Sequence, residues 1–194
     1  PERLAAKTWG RKFAATLFDA NVLIVGGGGI ATELIRLIKP FRPSISVVRR
    51  DVQPMMDTAR VADLDQLDDL LAKADFVFLA CALTEETRGL MNSTRFALMK
   101  DSAYLVNIAR GPVIVTDDLE AALRAGQIAG AGIDVTDPEP LPDGHTLWST
   151  PNLIITPHSA DTPEMCVRLL SGRIASNVAN LISERPLEGV VNLE

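Results

Sequence analysis

Val22-Leu23-Ile24-Val25-Gly26-Gly27-Gly28-Gly29-Ile30-Ala31 sets the architecture of this chain. Its first four residues are apolar without a break, three of them β-branched, as in a strand covered on both faces. The glycines stop that strand. Beyond them Ile30–Lys39 places Ala31, Leu34, Ile35 and Ile38 on one helical stripe, and Pro40 closes it. Strand, glycine turn and helix in that order give meaning to the spacing Gly26-x-Gly28-x-Ile30-Ala31. Gly26 permits a tight turn, Gly28 lets the backbone approach a pyrophosphate, and Ala31 is small enough for close helix–sheet packing. The unpaired amides at the helix start would face the phosphates.

Outward from this unit the pattern repeats. Further apolar runs occur at Ile45–Val48, Phe76–Ala80, Ala103–Asn107, Ile128–Ile133 and Leu153–Ile155. Amphipathic segments lie between them: Leu64–Ala74, with Leu64, Leu67, Leu70 and Leu71, and Asp117–Ala125, with Leu119, Ala122 and Leu123. A last helix is predicted from the Thr162-Pro163-Glu164 cap to Pro186, carrying Val167, Leu170, Ile174, Val178, Leu181 and Ile182 along one face. Such β-α-β alternation predicts an α/β fold, a doubly wound parallel sheet. Residues 1–20 (Leu4, Trp9, Phe13, Leu17, Phe18) have helical spacing but no partner element, so they are expected as a linker or interdomain helix. The expected division is therefore 1–20, a nucleotide-binding domain at 21–162, and a C-terminal helix and tail at 163–194.

Bulk properties exclude several classes. The 194 residues allow one sizeable core, and 47% apolar with 23% charged residues is ordinary for a globular protein. A net charge of −6 gives no general attraction for nucleic acid or anionic membranes. No apolar run approaches the roughly 20 residues of a membrane span, and the N-terminus lacks a secretion signal. Cys81 and Cys166 read as small buried residues rather than a disulfide. A cytoplasmic location is expected, and no metal site.

The second strand ends at Arg49-Arg50. An acidic residue at that place commonly accepts hydrogen bonds from the adenosine ribose of a dinucleotide. A guanidinium cannot accept them, but it can clamp a 2′-phosphate. Arg49 and Arg50 therefore favour NADP(H), with NAD(H) possible; Asp51 could serve instead if the strand runs two residues longer.

Three ionisable residues follow later strands: Arg110 after Asn107-Ile108-Ala109, Glu139 in Asp134-Val135-Thr136-Asp137-Pro138-Glu139-Pro140, and His158 after Ile154-Ile155-Thr156-Pro157. All three could meet at the sheet's carboxyl edge, where open α/β sheets place their chemistry. These blocks, with Leu83–Leu90 and Leu147-Trp148, resemble in order and spacing the D-isomer-specific 2-hydroxyacid dehydrogenases across residues 9–192. The resemblance implies a Rossmann-type NAD(P)-binding domain and hydride exchange with a small 2-oxo or 2-hydroxy acid. Arg110 would bind the substrate carboxylate, and His158 would exchange a proton with the carbonyl oxygen. Glu139 would hold the imidazole and favour its protonated form. Asp134 would lie near the nicotinamide. Further cofactor contacts implied in the same way are Gly29, Ile30, Arg49, Cys81, Thr87, Ile108, Ala109, Ser159 and Ala160, with Arg110 and His158 themselves.

Two departures matter. Ala82 stands where the family commonly has proline, so the loop after Cys81 is expected to be less rigid. About 100 residues, one small domain, are expected to be missing before Pro1; in the family they form most of the substrate domain, toward which the C-terminal helix returns. A small oxoacid reductase of the glyoxylate or hydroxypyruvate type is the leading expectation, with a homodimer as its assembly. The Glu139–His158 pairing argues against formate as substrate. A nucleotide-sensing co-regulator, or a cofactor-binding module inert by itself, is the alternative.

Overall fold

A computed structural model describes residues 15–190, which divide into two compact units, 15–157 and 158–190. The expected helix in residues 1–20 lies mostly outside the described residues, as do 191–194.

The first unit is built on seven parallel strands: β1 (Asn21–Val25), β2 (Ser44–Val48), β3 (Arg60–Ala62), β4 (Phe76–Leu79), β5 (Tyr104–Asn107), β6 (Gly130–Ile133) and β7 (Leu153–Ile155). Their order across the sheet is β3-β2-β1-β4-β5-β6-β7. Alternate side chains of β1 enter different cores, which is why its apolar residues are consecutive. Val22 and Ile24 pack with Ala31, Ile35 and Ile38 of helix α1 (Gly29–Ile38). Leu23 and Val25 join the larger core on the opposite face. That core takes Leu67, Leu70 and Leu71 of α2 (Leu67–Leu71), Phe96 of α3 (Ser93–Leu98), and Leu119, Ala122 and Leu123 of α4 (Thr116–Ala125). The doubly wound sheet predicted from the sequence is the observed one.

Differences from the sequence pattern have local causes. Strand β3 is only three residues long and lies at the sheet edge, so it offers no alternation to detect. Helix α3 buries Phe96 alone and depends on its cap, the Asn92 side chain accepting from the Arg95 amide at 3.2 Å. The stretch predicted as a helix from Leu64 begins as a 3-10 turn, Leu64–Gln66, before α2.

At the sheet's amino edge, Asp75 ties two strands. Its carboxylate accepts from the Asn21 amide at 2.8 Å and from Lys100 Nζ at 2.7 Å. Burial pushes the carboxyl up, but the Lys100 hydrogen bond and charge, with the Asn21 bonds, outweigh it and hold it below its ordinary value.

The second unit contains α5 (Pro163–Ile182), capped by Thr162 Oγ1, which accepts from the Met165 amide at 3.3 Å. It ends four residues before Pro186: Glu184 takes a left-handed conformation (φ 53°) and the Arg185 amide reaches back to the Asn180 carbonyl at 2.8 Å. The following segment folds back, with the Glu188 amide donating to Asn177 Oδ1 at 2.9 Å and Asn177 Nδ2 donating to the Glu188 carbonyl at 3.1 Å. None of the helix's residues is buried, the predicted apolar face included. Among the described residues no helix is long and apolar enough to cross a membrane.

Candidate functional site

Strand order reverses beside β1, whose two neighbours are β2 and β4. Their carboxyl ends converge on Gly26. Its amide donates to the Val48 carbonyl at 2.8 Å, and its φ is 111°. A Cβ here would lie 2.4 Å from the Ala80 carbonyl oxygen, so backbone conformation and contact both require glycine. By contrast, a Cβ at Gly28 or Gly29 would meet nothing within 4 Å. The protein's own packing does not explain those two glycines; they leave bare backbone at the start of α1, where the amides of Gly29 and Ile30 belong to the first turn. Ala31 is fully buried against the sheet, as its place in the motif requires.

A cavity of about 740 Å³ opens over this turn. Gly26, Gly28, Arg49, Arg50, Cys81 and Thr87 line it together, so six of the residues singled out from the sequence share one space. Arg49 follows β2 directly, its amide donating to the Ala62 carbonyl at 2.9 Å. Asp51 lies beyond the strand rather than at its end, 3.7 Å from Arg49 Nη2. Burial pushes the Cys81 thiol up from its ordinary value, and the side chain packs against the larger core. The loop after Cys81, expected to be slack for want of a proline, is tied by Thr87: its hydroxyl donates to the Ala82 carbonyl at 2.7 Å and accepts from the Thr84 amide at 2.7 Å. Asp63 also lines the cavity, and among the described residues its buried Oδ1 has no hydrogen-bond partner. A bare-backbone helix start and two arginines on one cavity fit a dinucleotide with phosphate groups.

The next strands along the same edge carry the substrate-side candidates. Ile108, Ala109 and Arg110 follow β5, and Asn107 at its end organises them. This asparagine is fully buried, accepts from the Ala109 amide at 3.0 Å and donates to the Arg110 carbonyl at 3.1 Å. The exposed Arg110 donates through Nη1 to the Ala109 carbonyl at 2.6 Å. A Cβ on Gly111 would sit 1.8 Å from the Thr136 carbonyl oxygen, so the loop after β5 rests directly on the loop after β6. That second loop carries Asp134 and Glu139. Asp134 is buried and accepts from the Thr156 hydroxyl of the β7 end. Glu139 Oε2 accepts from the Thr136 amide at 3.4 Å, which draws the loop back on itself.

His158, Ser159 and Ala160 open the second unit. His158 has φ 50°, a left-handed conformation uncommon outside glycine and found more often in histidine than in β-branched residues. The sequence reading passed over Asn107 and Thr156 as working parts, and Gly27 and Asp63 as cavity residues. A polar residue closing an otherwise apolar strand was a usable signal for Asn107. Nothing local marks Asp63, which reaches the cavity only because β3 pairs with β2.

A family model described as the NAD binding domain of D-isomer specific 2-hydroxyacid dehydrogenases matches residues 2–160. The human glyoxylate reductase/hydroxypyruvate reductase is 35% identical over 178 residues, 91% of this chain and 54% of that protein. A crystal structure of a D-isomer specific 2-hydroxyacid dehydrogenase from Xanthobacter autotrophicus Py2, in complex with NADPH and MES, superposes with a TM-score of 0.89 at 30% identity, covering 98% of this chain and 78% of that one. The NADPH-dependent glyoxylate/hydroxypyruvate reductase of Sinorhizobium meliloti, in complex with NADP and sulfate, gives 0.88 at 29% identity, covering 98% and 61%. The chain spans about half the length of the curated relatives it matches. With the glycine turn, the strand order and the family model in agreement, the chain belongs to the D-isomer specific 2-hydroxyacid dehydrogenase family.

Proposed function

We propose that the chain is the nucleotide-binding part of an NADP(H)-preferring reductase of small 2-oxoacids, glyoxylate or hydroxypyruvate in type. The observation that carries this reading is the Arg49–Arg50 pair at the end of β2, on the cavity over the glycine turn. A guanidinium there complements a 2′-phosphate and offers no acceptor to a free ribose hydroxyl. Relatives that carry the glyoxylate or hydroxypyruvate reductase name support the substrate class.

When bound, the nicotinamide supplies or accepts the hydride. Arg110 holds the substrate carboxylate through paired charge-assisted hydrogen bonds and orients the adjacent carbonyl. Its backbone is fixed by Asn107, so the guanidinium starts from a set position. His158 holds the proton that goes to the carbonyl oxygen and recovers it in the oxidative direction. Glu139 orients the imidazole and favours its charged form, while Asp134 shapes the nicotinamide side. Ile108, Ala109, Ser159 and Ala160 complete the cofactor contacts through their backbone. The same reading takes 21–162 as the nucleotide-binding domain and 163–194 as a helix and tail belonging to the substrate side. It also makes the protein a cytoplasmic homodimer; the free thiols of Cys81 and Cys166 suit a reducing compartment.

Full-length protein given NADPH and glyoxylate or hydroxypyruvate should consume cofactor. Arg110→Ala and His158→Ala should each lower kcat/KM by about a thousandfold or more. Wild-type turnover in the His158→Ala variant would remove the proposed proton donor. NADPH binding by the intact protein without turnover on any small 2-oxoacid would favour a nucleotide-sensing role.

A further inference from the structure

Polar groups join the carboxyl ends of β5, β6 and β7, and Thr156 is the last of them along the sheet. The Asp134 amide donates to the Asn107 carbonyl at 3.0 Å, and the Thr156 amide donates to the Ile133 carbonyl at 3.0 Å. Both backbones thus continue the strand pairing that sets Asn107 beside Ile133 and Ile133 beside Ile155. Across this fixed pair the Thr156 hydroxyl donates to Asp134 Oδ1. The acid is 7% exposed, whereas the threonine that serves it is exposed. Two short side chains on pinned backbone hold one geometry at little entropic cost. A carboxylate taken out of water depends on such donors more than one in solution does.

We propose that Thr156 is a positioning residue for the nicotinamide half of the cofactor: its hydroxyl fixes the orientation in which the buried Asp134 carboxylate is presented. The inference rests on the reading that places Asp134 on the nicotinamide side. A carboxylate only accepts, so it suits the amino group of a carboxamide and is no partner for a phosphate. Valine at 156 keeps the shape of threonine and removes the donor. The carboxylate then turns toward another donor or takes up a proton, and the acceptor offered to the nicotinamide changes in either case. The glycine turn and Arg49 follow β1 and β2, beyond β4 and β5 in the strand order, and keep their places.

The test is direct titration of full-length protein with NADPH and with 2′-phospho-ADP-ribose, the same ligand without its nicotinamide. Thr156→Val should raise the NADPH dissociation constant by about five- to tenfold and leave that of 2′-phospho-ADP-ribose unchanged. Thr156→Ser, which keeps the hydroxyl, should restore wild-type NADPH binding. In a double-mutant cycle, Thr156→Val should add nothing once Asp134 is replaced by asparagine. Equal weakening of both ligands in Thr156→Val, no change in either, a serine variant as impaired as the valine one, or a full additional effect in the double variant would each overturn the role of Thr156. An Asp134→Asn variant with wild-type affinity for both ligands would instead overturn the placing of Asp134 on the nicotinamide side, so the two failures are told apart.

Discussion

The two edges of the sheet are made from the same strands and treat charge in opposite ways. At the amino edge, charge is neutralised on the spot: Asp75 is held by Lys100 and Asn21, and Asp19 pairs with Arg42 at 3.2 Å. At the carboxyl edge, among the described residues, Arg49 has a loose ion-pair partner in Asp51, and two glycines leave backbone facing open space. Hydrogen bonds completed within the protein serve stability; those left for a ligand serve binding. The difference marks the carboxyl edge as the one left open to a ligand.

Variants can break this contrast at points of decreasing severity. Gly111→Ala has the largest expected effect. Its Cβ would fall 1.8 Å from the Thr136 carbonyl oxygen, backbone against backbone, so two loops of the working edge must separate. A loss of about 3 kcal/mol or more is expected in urea unfolding, together with loss of oxoacid turnover. Wild-type stability would mean the two loops do not rest on each other. Asn107→Ala comes next. It removes two hydrogen bonds and leaves the Ala109 amide unpaired in a buried site. About 2 kcal/mol should be lost, and KM for the oxoacid should rise because Arg110 is no longer fixed. A pure stability loss with unchanged KM would reduce Asn107 to a packing role.

The smallest effect belongs to the amino edge. Asp75→Asn should cost about 1 kcal/mol, since the ion pair is about one-third exposed and partly screened. It should leave cofactor affinity alone. The pH dependence has a definite sign. The folded carboxyl lies below its ordinary value of 3.8, so its stabilisation is complete above that pH and is lost as pH falls through the folded value. Acid unfolding of the wild type and Asp75→Asn should therefore converge below pH 3.8. Curves that stay parallel through that range would show that Asp75 contributes nothing through its charge.

Much of this could be read from the order of residues. Runs of consecutive apolar residues mark strands buried on two faces, and the stripe from Ala31 to Ile38 marks the helix that covers one of them. Both are short-range patterns that burial imposes directly on sequence. Gly26 and Arg49 were legible as candidate cofactor residues too, because each follows a strand and parallel strands deliver their ends to one edge, whereas Cys81 and Thr87 were legible only through the family resemblance.

Tertiary structure alone decided the rest. Strand β3 is too short to announce itself, so the arrival of Asp63 at the cavity depends on pairing with β2. Gly27 looks like one glycine among four until the side chain of Arg49 is seen lying over it. Gly111 likewise reads as a turn residue until Thr136 stands against it. Sequence encodes periodicity and chain ends, which local burial dictates. Which particular side chain occupies the space above a bare backbone is settled only when strands far apart in the chain become neighbours.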